Sequence, residues 1–190
     1  VVVTEDHYKV TIVDSGNINY SQMCQLHPKN SIGNKAVNYS NSIIIDKTDG
    51  DILTVGEEFT LFNWGNVIVK AKDSLNNTME IILNTNGDPK LTKNKITWLA
   101  VNNNNLKITL TIIGNLITVP SLPSKKNGDT TDWKTLINPN LKTKIVCYGE
   151  ESMNKLIKGS RVQIMRKGYF IVHKVTNDHM ELVDIPDGSD

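Results

Sequence analysis

The residues best suited to chemistry lie in one basic stretch near the carboxyl end, and they favour binding over catalysis. Arg161 and Arg166 are the only arginines among 21 Lys and Arg in this chain of 190 residues. A guanidinium in a chain that otherwise uses lysine indicates forked or stacking contacts, because it matches a phosphate with two parallel hydrogen bonds. On a strand, Arg161 and Gln163 would share one face, opposite Val162 and Ile164. An arginine beside an amide can bind a phosphate and a base edge. The same pattern also fits a solvated outer strand face.

No catalytic constellation is visible in the sequence. The serine-nucleophile elbow, the phosphate loop, the dinucleotide fingerprint and the H-E-x-x-H zinc motif are all absent. Glutamates occur in adjacent pairs at 57–58 and 150–151, but neighbours on a strand point to opposite faces and cannot act as an acid/base pair. Cys24 and Cys147 lack a metal-binding spacing, so we expect no structural zinc. Two free, buried thiols are expected, with a disulfide between them as the alternative.

The overall composition excludes several classes. Lys plus Arg is 21 and Asp plus Glu is 20, a formal net charge of +1, so bulk charge argues for neither nucleic acid nor membrane. No apolar run approaches the roughly 20 residues of a membrane helix. The chain starts at Val1 without a signal-peptide pattern, and we interpret it as a fragment of a longer protein. The 23 asparagines are interpreted as compositional bias.

The elements that would position these side chains are predicted to be strands. Ile, Thr and Val total 54 residues against three Ala, a composition that favours β structure. Alternation predicts strands at residues 7–13, 35–46, 57–63, 66–72, 78–84, 94–101, 160–166, 169–176 and 179–185, and two short strands within 106–119 that are broken near residues 114–115. Residues 22–34 are predicted to form a long loop, 48–51 a turn, and 131–136 and 150–158 two short helices. With turn signals every 8–12 residues and no visible repeat, the fold is predicted to be all-β, with two small antiparallel barrels.

Seven blocks of sequence, in order, resemble the anticodon-binding region of cytosolic and archaeal glutamyl-tRNA synthetases, an architecture that glutaminyl-tRNA synthetases share. They are 26–30 (LHPKN), 37–40 (VNYS), 56–66 (GEEFTLFNWGN), 95–100 (KITWLA), 137–139 (INP), 156–159 with 162–170 (LIKG and VQIMRKGYF), and 185–188 (IPDG). The forms at 63–66 and 97–100 resemble the glutamyl enzymes more than the glutaminyl ones.

The resemblance implies two barrels of the ribosomal-protein-like anticodon-binding kind. A proximal barrel would use residues 1–50 and 104–190, and a distal barrel of residues 51–103 would be inserted between them. The chain lacks the catalytic signature motifs, so the resemblance implies that it needs no cofactor and that a separate N-terminal catalytic domain uses ATP and Mg. The implied partners are glutamate tRNA isoacceptors, that catalytic domain and, where synthetases form a complex, its other members. The implied location is the cytoplasm, without membrane contact.

Particular residues carry over from the family to this sequence. Gln163, four residues after Gly159, matches the glutamine that reads the middle uridine of the anticodon in glutaminyl relatives. Thr60 and Phe62 stand where those relatives place cations for the first anticodon base, and Phe62 could stack on a base instead. His7 stands where an arginine normally precedes the first aromatic residue.

Basic residues and tryptophans complete the expected site. Arg161, Arg166 and Lys167 are expected to contact the anticodon and its phosphates, whereas Trp64 and Trp98 are expected to be packing residues. The alternatives are a glutaminyl-tRNA synthetase module and a protein-interaction module with the same barrels and no RNA contact, which the near-neutral charge favours.

Overall fold

A computed structural model describes residues 1–26, 33–102, 105–120 and 132–186, and most of these residues lie in strands. The strands are β1 (Val2–Thr4), β2 (His7–Val13), β3 (Asn19–Gln25), β4 (Asn34–Ser40), β5 (Ser42–Asp46), β6 (Glu58–Leu61), β7 (Gly65–Asp73), β8 (Thr78–Asn84), β9 (Lys95–Ile96), β10 (Trp98–Ala100), β11 (Leu106–Ile113), β12 (Lys142–Gly149), β13 (Arg161–Ile164), β14 (Gly168–Val175) and β15 (His179–Ile185). The helix α1 spans Lys47–Ile52, and 3₁₀ helices span Trp133–Leu136 and Glu151–Lys155. The prediction of an all-β fold is confirmed.

The first sheet is a nearly closed barrel of seven strands in the order β10-β5-β2-β8-β7-β6-β9. Its β2 strand alternates as predicted, with Tyr8, Val10 and Ile12 buried and the residues between them exposed. Phe59 and Leu61 of β6 are fully buried in the same core. Burial of one face of each strand fixes its register, since a slip of one residue would expose the whole apolar set.

The second sheet is a half-barrel of six strands in the order β1-β12-β11-β15-β14-β13. Its core contains Ile108 and Leu110 of β11, Phe170 of β14 and Leu182 of β15, all fully buried or nearly so. The strand β12 lies in the middle of the chain's second half, in a segment where no strand was predicted. The first three residues of β12 are exposed, so the strand lacks a sustained alternation of apolar and polar residues.

The two sheets repeat one topology, although the sequence shows no repeat period. The order β5-β2-β8-β7-β6 matches β12-β11-β15-β14-β13 in chain order and in the direction of each pair, including the parallel pairs β2–β8 and β11–β15. Each set also has an antiparallel edge strand, β10 after the others in the chain or β1 before them. Gly56 and Gly159, with φ of +85° and +87°, precede the equivalent hairpins. Each hairpin turn holds one non-glycine residue with positive φ, Asn63 in the barrel and Arg166 in the half-barrel.

The hydrogen-bonded sheets divide the chain at other places than the predicted domains do. The strands β2 and β5, which lie within residues 1–50, pair with strands of residues 58–100 in the seven-stranded barrel. The first strand of the chain, β1, pairs instead with β12 of the half-barrel. The predicted boundaries, 1–50 and 104–190 against 51–103, stay a prediction.

The loop predicted at 22–34 is wrong where the structure describes it. The strands β3 and β4 form a separate two-stranded antiparallel ribbon, in which Tyr20 of β3 stacks on Tyr39 of β4 at 4.7 Å between ring centroids. Most of β3 is exposed, so its sequence has no apolar alternation. Cross-strand pairing, which a single-strand pattern does not show, defines this element. Residues 27–32 lie outside the described residues.

The turn predicted at 48–51 is also wrong, because these residues belong to the helix α1. Gly50 faces the ring of buried Tyr8 so closely that a Cβ there would lie 2.1 Å from Cδ2 of that ring. Packing against the barrel therefore outweighs the local turn signal of the Asp-Gly-Asp sequence. The two predicted short helices occur as the 3₁₀ helices, and their lengths are four and five residues. The predicted capping residue Thr131 lies outside the described residues.

Candidate nucleic-acid interface

The hairpin of β13 and β14 places Arg161 and Gln163 on its outer face, as the sequence predicts. Both side chains are exposed, whereas Ile164 is buried and Val162 is half-buried. Neither Arg161 nor Gln163 makes a side-chain hydrogen bond with any other described residue. The amide of Gln163 therefore has its donors and acceptor free for a ligand.

A row of three side chains runs across this face of the half-barrel. Gln163 pairs directly with Tyr169 of β14, and Tyr169 pairs directly with Ile185 of β15. Tyr169 is 44% exposed. A groove of about 410 Å³ lies over this row, and its lining includes Arg161 and Pro186. The groove thus brings together a cation, an amide, an aromatic ring and an apolar wall.

Arg166 and Lys167 hold the turn of this hairpin against the barrel, and their expected contact with RNA stays a prediction. Nη1 and Nη2 of Arg166 each donate to a carboxylate oxygen of Asp49 in α1, at 2.6 Å. Nζ of Lys167 donates to Asp46 at 2.7 Å. These hydrogen bonds from Asp49 raise the pKa of Arg166.

Thr60 lies at the place equivalent to Gln163 in the barrel, but it is only 7% exposed. Its hydroxyl donates to Asn66 Oδ1 at 2.9 Å and lies 2.6 Å from the hydroxyl of Thr92. Asn66 in turn donates to Glu58 at 2.7 Å. The chain itself satisfies the polar groups at this position, and the expected contact of Thr60 with a base stays a prediction.

Phe62 is half-buried and lines a cleft of about 610 Å³ between the ribbon and the hairpin turns of the two sheets. Met165, its counterpart in the half-barrel turn, lines the same cleft and is 40% exposed. Lys35 of the ribbon and Glu150 beside the second 3₁₀ helix form an ion pair at 2.6 Å in the cleft wall. Phe62 therefore faces an open cleft, and Gln163 does not line that cleft.

His7 lies at the junction of the sheets and does not reach the groove. Its Nδ1 lies 3.2 Å from the carbonyl oxygen of Thr4, and its ring meets Tyr148 edge to face at 5.9 Å. His7 pairs with Asp46, the residue that also binds Lys167. Its neighbours therefore indicate a role in joining the two sheets.

The packing interpretation of Trp64 and Trp98 agrees with their surroundings. Their rings lie 4.6 Å apart between centroids, and both contact Tyr39. Trp98 is buried and donates its indole N–H to the carbonyl oxygen of Phe62 at 2.8 Å. Through this hydrogen bond, the aromatic cluster holds the backbone of the barrel's β6–β7 turn.

The two cysteines are free thiols, as expected, and no disulfide joins them. Cys147 is buried and Cys24 is half-buried with Sγ 3.8 Å from the hydroxyl of Tyr39. In the described segments, no three His, Cys, Asp or Glu side chains are grouped closely enough to hold a metal ion. Over the same segments, no helix has the length and apolar character needed to cross a membrane.

Sequence reasoning missed two residues of this interface. Tyr169 was available from strand parity, because a tight hairpin turn after Ile164 places it opposite Gln163. Asp49 gave no such signal, since it lies 117 positions from Arg166 and was assigned to a turn.

Comparisons with known proteins agree with this architecture. A family model described as "tRNA synthetases class I (E and Q), anti-codon binding domain" matches residues 1–86, and a second model with the same description matches residues 95–173. The "Glutamate--tRNA ligase, cytoplasmic" of Arabidopsis thaliana is 34% identical over 98% of this chain and 26% of the relative. The corresponding proteins of Encephalitozoon cuniculi ("probable") and Saccharomyces cerevisiae are 37% and 32% identical over 80% and 88% of this chain, and 23% of each relative.

The chain spans about a quarter of the length of these relatives. The two family models together match most of its residues, one in each half. Their junction, between residues 86 and 95, falls after β8 and before β9. The chain therefore belongs to the anticodon-binding domains of the class I tRNA synthetases of the E and Q group.

Proposed function

We propose that this chain is the anticodon-binding module of a cytoplasmic glutamate–tRNA ligase. The observation that carries the proposal is the match of both halves to anticodon-binding family models, together with relatives that bear this enzyme's name over nearly the whole chain. The module would recognise the anticodon of glutamate tRNA. Aminoacylation would belong to a catalytic domain outside these 190 residues, using ATP and Mg.

The mechanism rests on unstacked bases held at separate places. Sequence-specific RNA recognition uses single-stranded loops, whose bases can be splayed out, stacked on aromatic rings and hydrogen-bonded at their edges. Gln163 on the half-barrel is exposed and suited to a base edge. Phe62 faces the cleft between the hairpin turns and is suited to stacking. Arg161 is suited to the phosphate backbone, since it has no ion pair among the described residues.

Two further points belong to the same proposal. The relatives are named cytoplasmic, which supports that location for the whole protein. Relatives of Mus musculus and Cricetulus griseus are named "Bifunctional glutamate/proline--tRNA ligase". That name supports association with another synthetase activity as a partner of the whole protein in some settings.

The test uses the full-length protein and three purified tRNAs. We expect it to charge glutamate tRNA with glutamate, to leave glutamine tRNA uncharged, and to lose at least tenfold in kcat/KM when the middle uridine of the glutamate anticodon is changed to cytidine. Charging of glutamine tRNA with glutamine would make it a glutaminyl enzyme. Equal charging of the cytidine variant would overturn anticodon recognition and favour a protein-interaction module.

A further inference from the structure

We infer that the open edge of β13 receives one more strand, formed by the residues that immediately precede Val1 in the full-length protein. The inference rests on the proposed function in one respect, namely that these 190 residues are part of a longer chain. It adds an intramolecular docking surface to that function. The half-barrel has six strands where the barrel has seven, and the added strand supplies the seventh.

The edge of β13 that faces away from β14 has unused backbone donors. Hydrogen-bonded pairs alternate along an antiparallel ladder, and the amide of Val172 in β14 donates to the carbonyl oxygen of Ser160 at 2.9 Å. The amides of Gln163 and Met165 therefore point away from β14. No backbone acceptor among the described residues binds either of them. An open row of this kind is a template for pairing with another strand.

In the barrel, the strand β9 covers the equivalent edge. Counted from the closing glycine of each hairpin turn, Thr60 and Phe62 correspond to Gln163 and Met165. The amides of Thr60 and Phe62 donate to carbonyl oxygens of β9 and of the residue before it, at 2.9 and 3.0 Å. The strand β9 runs parallel to β6. The barrel therefore shows how a further strand fits against this kind of hairpin.

The two hairpins otherwise share their backbone hydrogen bonds. The amide of Gly56 donates to Val69 and that of Gly159 donates to Val172, at 2.8 Å in both. Each valine donates back to the residue after its glycine, at 3.0 and 2.9 Å. Among the described residues, the two bonds to β9 have no counterpart in the half-barrel. The hairpins therefore differ in the covering strand and not in their own geometry.

The register of the sheets shows which segment would take the place of β9. Tyr8 and Leu106 hold equivalent positions, each one residue before the lysine that pairs with the first residue of the parallel strand, β8 or β15. Two strands away in the same register lie Trp98 of β10 and Val2 of β1. Val2 therefore corresponds to Trp98. Because one residue separates β9 from β10, the two residues that precede Val1 correspond to β9.

Val1 itself lies beside the open edge. Val1 and Met165 line the same cleft of about 610 Å³. The nitrogen of Val1 lies 2.8 Å from Oε1 of Glu150, and a peptide N–H at this place can donate to the same carboxylate. The residues before Val1 therefore start next to the edge that they cover in this proposal.

The upstream residues should follow the burial pattern of β9. Ile96 is 1% exposed and belongs to the barrel core, whereas Lys95 is exposed. Ile96 pairs with Leu61, whose counterpart in the half-barrel is the buried Ile164. We therefore expect an apolar residue immediately before Val1 and an outward-facing residue before that. A charged residue immediately before Val1 would contradict the inference.

The first experiment measures amide hydrogen exchange in the full-length protein without RNA, resolved to single amides by fragmentation mass spectrometry. The reference amides are those of Thr60 and Phe62, which β9 covers in the same molecule. We expect the amides of Gln163 and Met165 to exchange at least about 100-fold more slowly than in an unstructured peptide, and within about tenfold of the reference amides.

The second experiment tests the register with a disulfide. Lys95 pairs with Thr60 in the barrel, so the second residue before Val1 should pair with Gln163. We expect Gln163→Cys, combined with a cysteine at that upstream position, to form a disulfide when the folded full-length protein is treated with oxidised glutathione. The matched control places the upstream cysteine one residue earlier, where its side chain points to the opposite face of the strand. Equal cross-linking of both pairs would overturn the register.

The outcomes separate this inference from the proposed function. Fast exchange of Gln163 and Met165 amides in the protein without RNA would overturn the added strand. If the same amides became slow only after glutamate tRNA was added, RNA would cover this edge, so the added strand would fail while the proposed function gained support. Slow exchange without RNA, in a protein that fails to charge glutamate tRNA, would leave the added strand in place and overturn the proposed function.

Discussion

Arg166 and Asp49 form a two-point ion pair that joins the β13–β14 hairpin of the half-barrel to the helix α1 of the barrel. Both hydrogen bonds measure 2.6 Å, and the Asp49 side chain is 5% exposed while that of Arg166 is 40% exposed. A second ion pair joins Lys167, the next residue of the same turn, to Asp46 at the end of β5. The geometry couples the position of Gln163 to the barrel.

Removal of this pair should destabilise the protein without a direct effect on RNA. We expect Arg166→Met to lower the free energy of unfolding by about 1–3 kcal/mol, because it leaves the Asp49 carboxylate nearly buried and unpaired, discounted for the exposure of the arginine. Denaturant unfolding measures this change. Arg161→Met is the matched control, and equal stability of the two variants would contradict the clamp.

Gln163→Ala should weaken base recognition with little effect on stability. The side chain is exposed, so its loss removes a contact to RNA rather than a packing contact. We expect a loss of about 1–3 kcal/mol in transition-state binding, measured as kcat/KM for glutamate tRNA. The same variant should no longer distinguish uridine from cytidine at the middle position. Unchanged kinetics with wild-type tRNA would remove Gln163 from the site.

In contrast to Gln163→Ala, Thr60→Val should lower stability and leave base recognition unchanged. The hydroxyl bonds with Asn66 and Thr92 inside the barrel, and its loss leaves buried polar partners unsatisfied. We expect the free energy of unfolding to fall by about 1–2 kcal/mol while the anticodon preference is retained. A changed preference for the first anticodon base, at unchanged stability, would restore Thr60 as an RNA contact.

Gly50→Ala should disturb the helix α1 and the clamp that it carries. A methyl group there would lie 2.1 Å from the Tyr8 ring, which is fully buried, so the ring or the helix would have to shift. We expect a loss of about 1–3 kcal/mol or more in unfolding free energy, despite the better helix propensity of alanine. Thr48→Ala, at an exposed position of the same helix, is the control and should be neutral or stabilising.

Cys147 should give the fold a dependence on alkaline pH. Burial raises the pKa of its thiol to about 11, from an ordinary value near 9. As the pH rises above 9, the unfolded chain loses this proton before the folded chain does. The contribution of this group to the free energy of unfolding is therefore fully present below pH 9 and falls progressively between pH 9 and pH 11. We expect Cys147→Ala to flatten the fall in unfolding free energy over that window by about 1–3 kcal/mol. Denaturant unfolding at several pH values across that window measures this change, and a wild-type slope in Cys147→Ala would refute the assignment.

Several strands could be predicted from local pattern because burial of one sheet face imposes a period of two. Residues 7–13, 78–84 and 179–185 match β2, β8 and β15 residue for residue. The exposed strand β3 and the half-exposed strand β12 carry no such signal, so they were missed, whereas β4 falls within the strand predicted at residues 35–46. Their pairing is a property of two segments together.

The sequence by itself determined the β-rich class, the family resemblance and the outward face shared by Arg161 and Gln163. Those follow from side-chain type and from strand parity, which are local. Tertiary structure alone decided which cations remain free. Asp46 and Asp49 reach Lys167 and Arg166 across more than a hundred residues, and Thr60 is covered while its counterpart Gln163 is not. Such contacts depend on how two sheets of one topology pack and exchange strands, and no spacing within one segment encodes them.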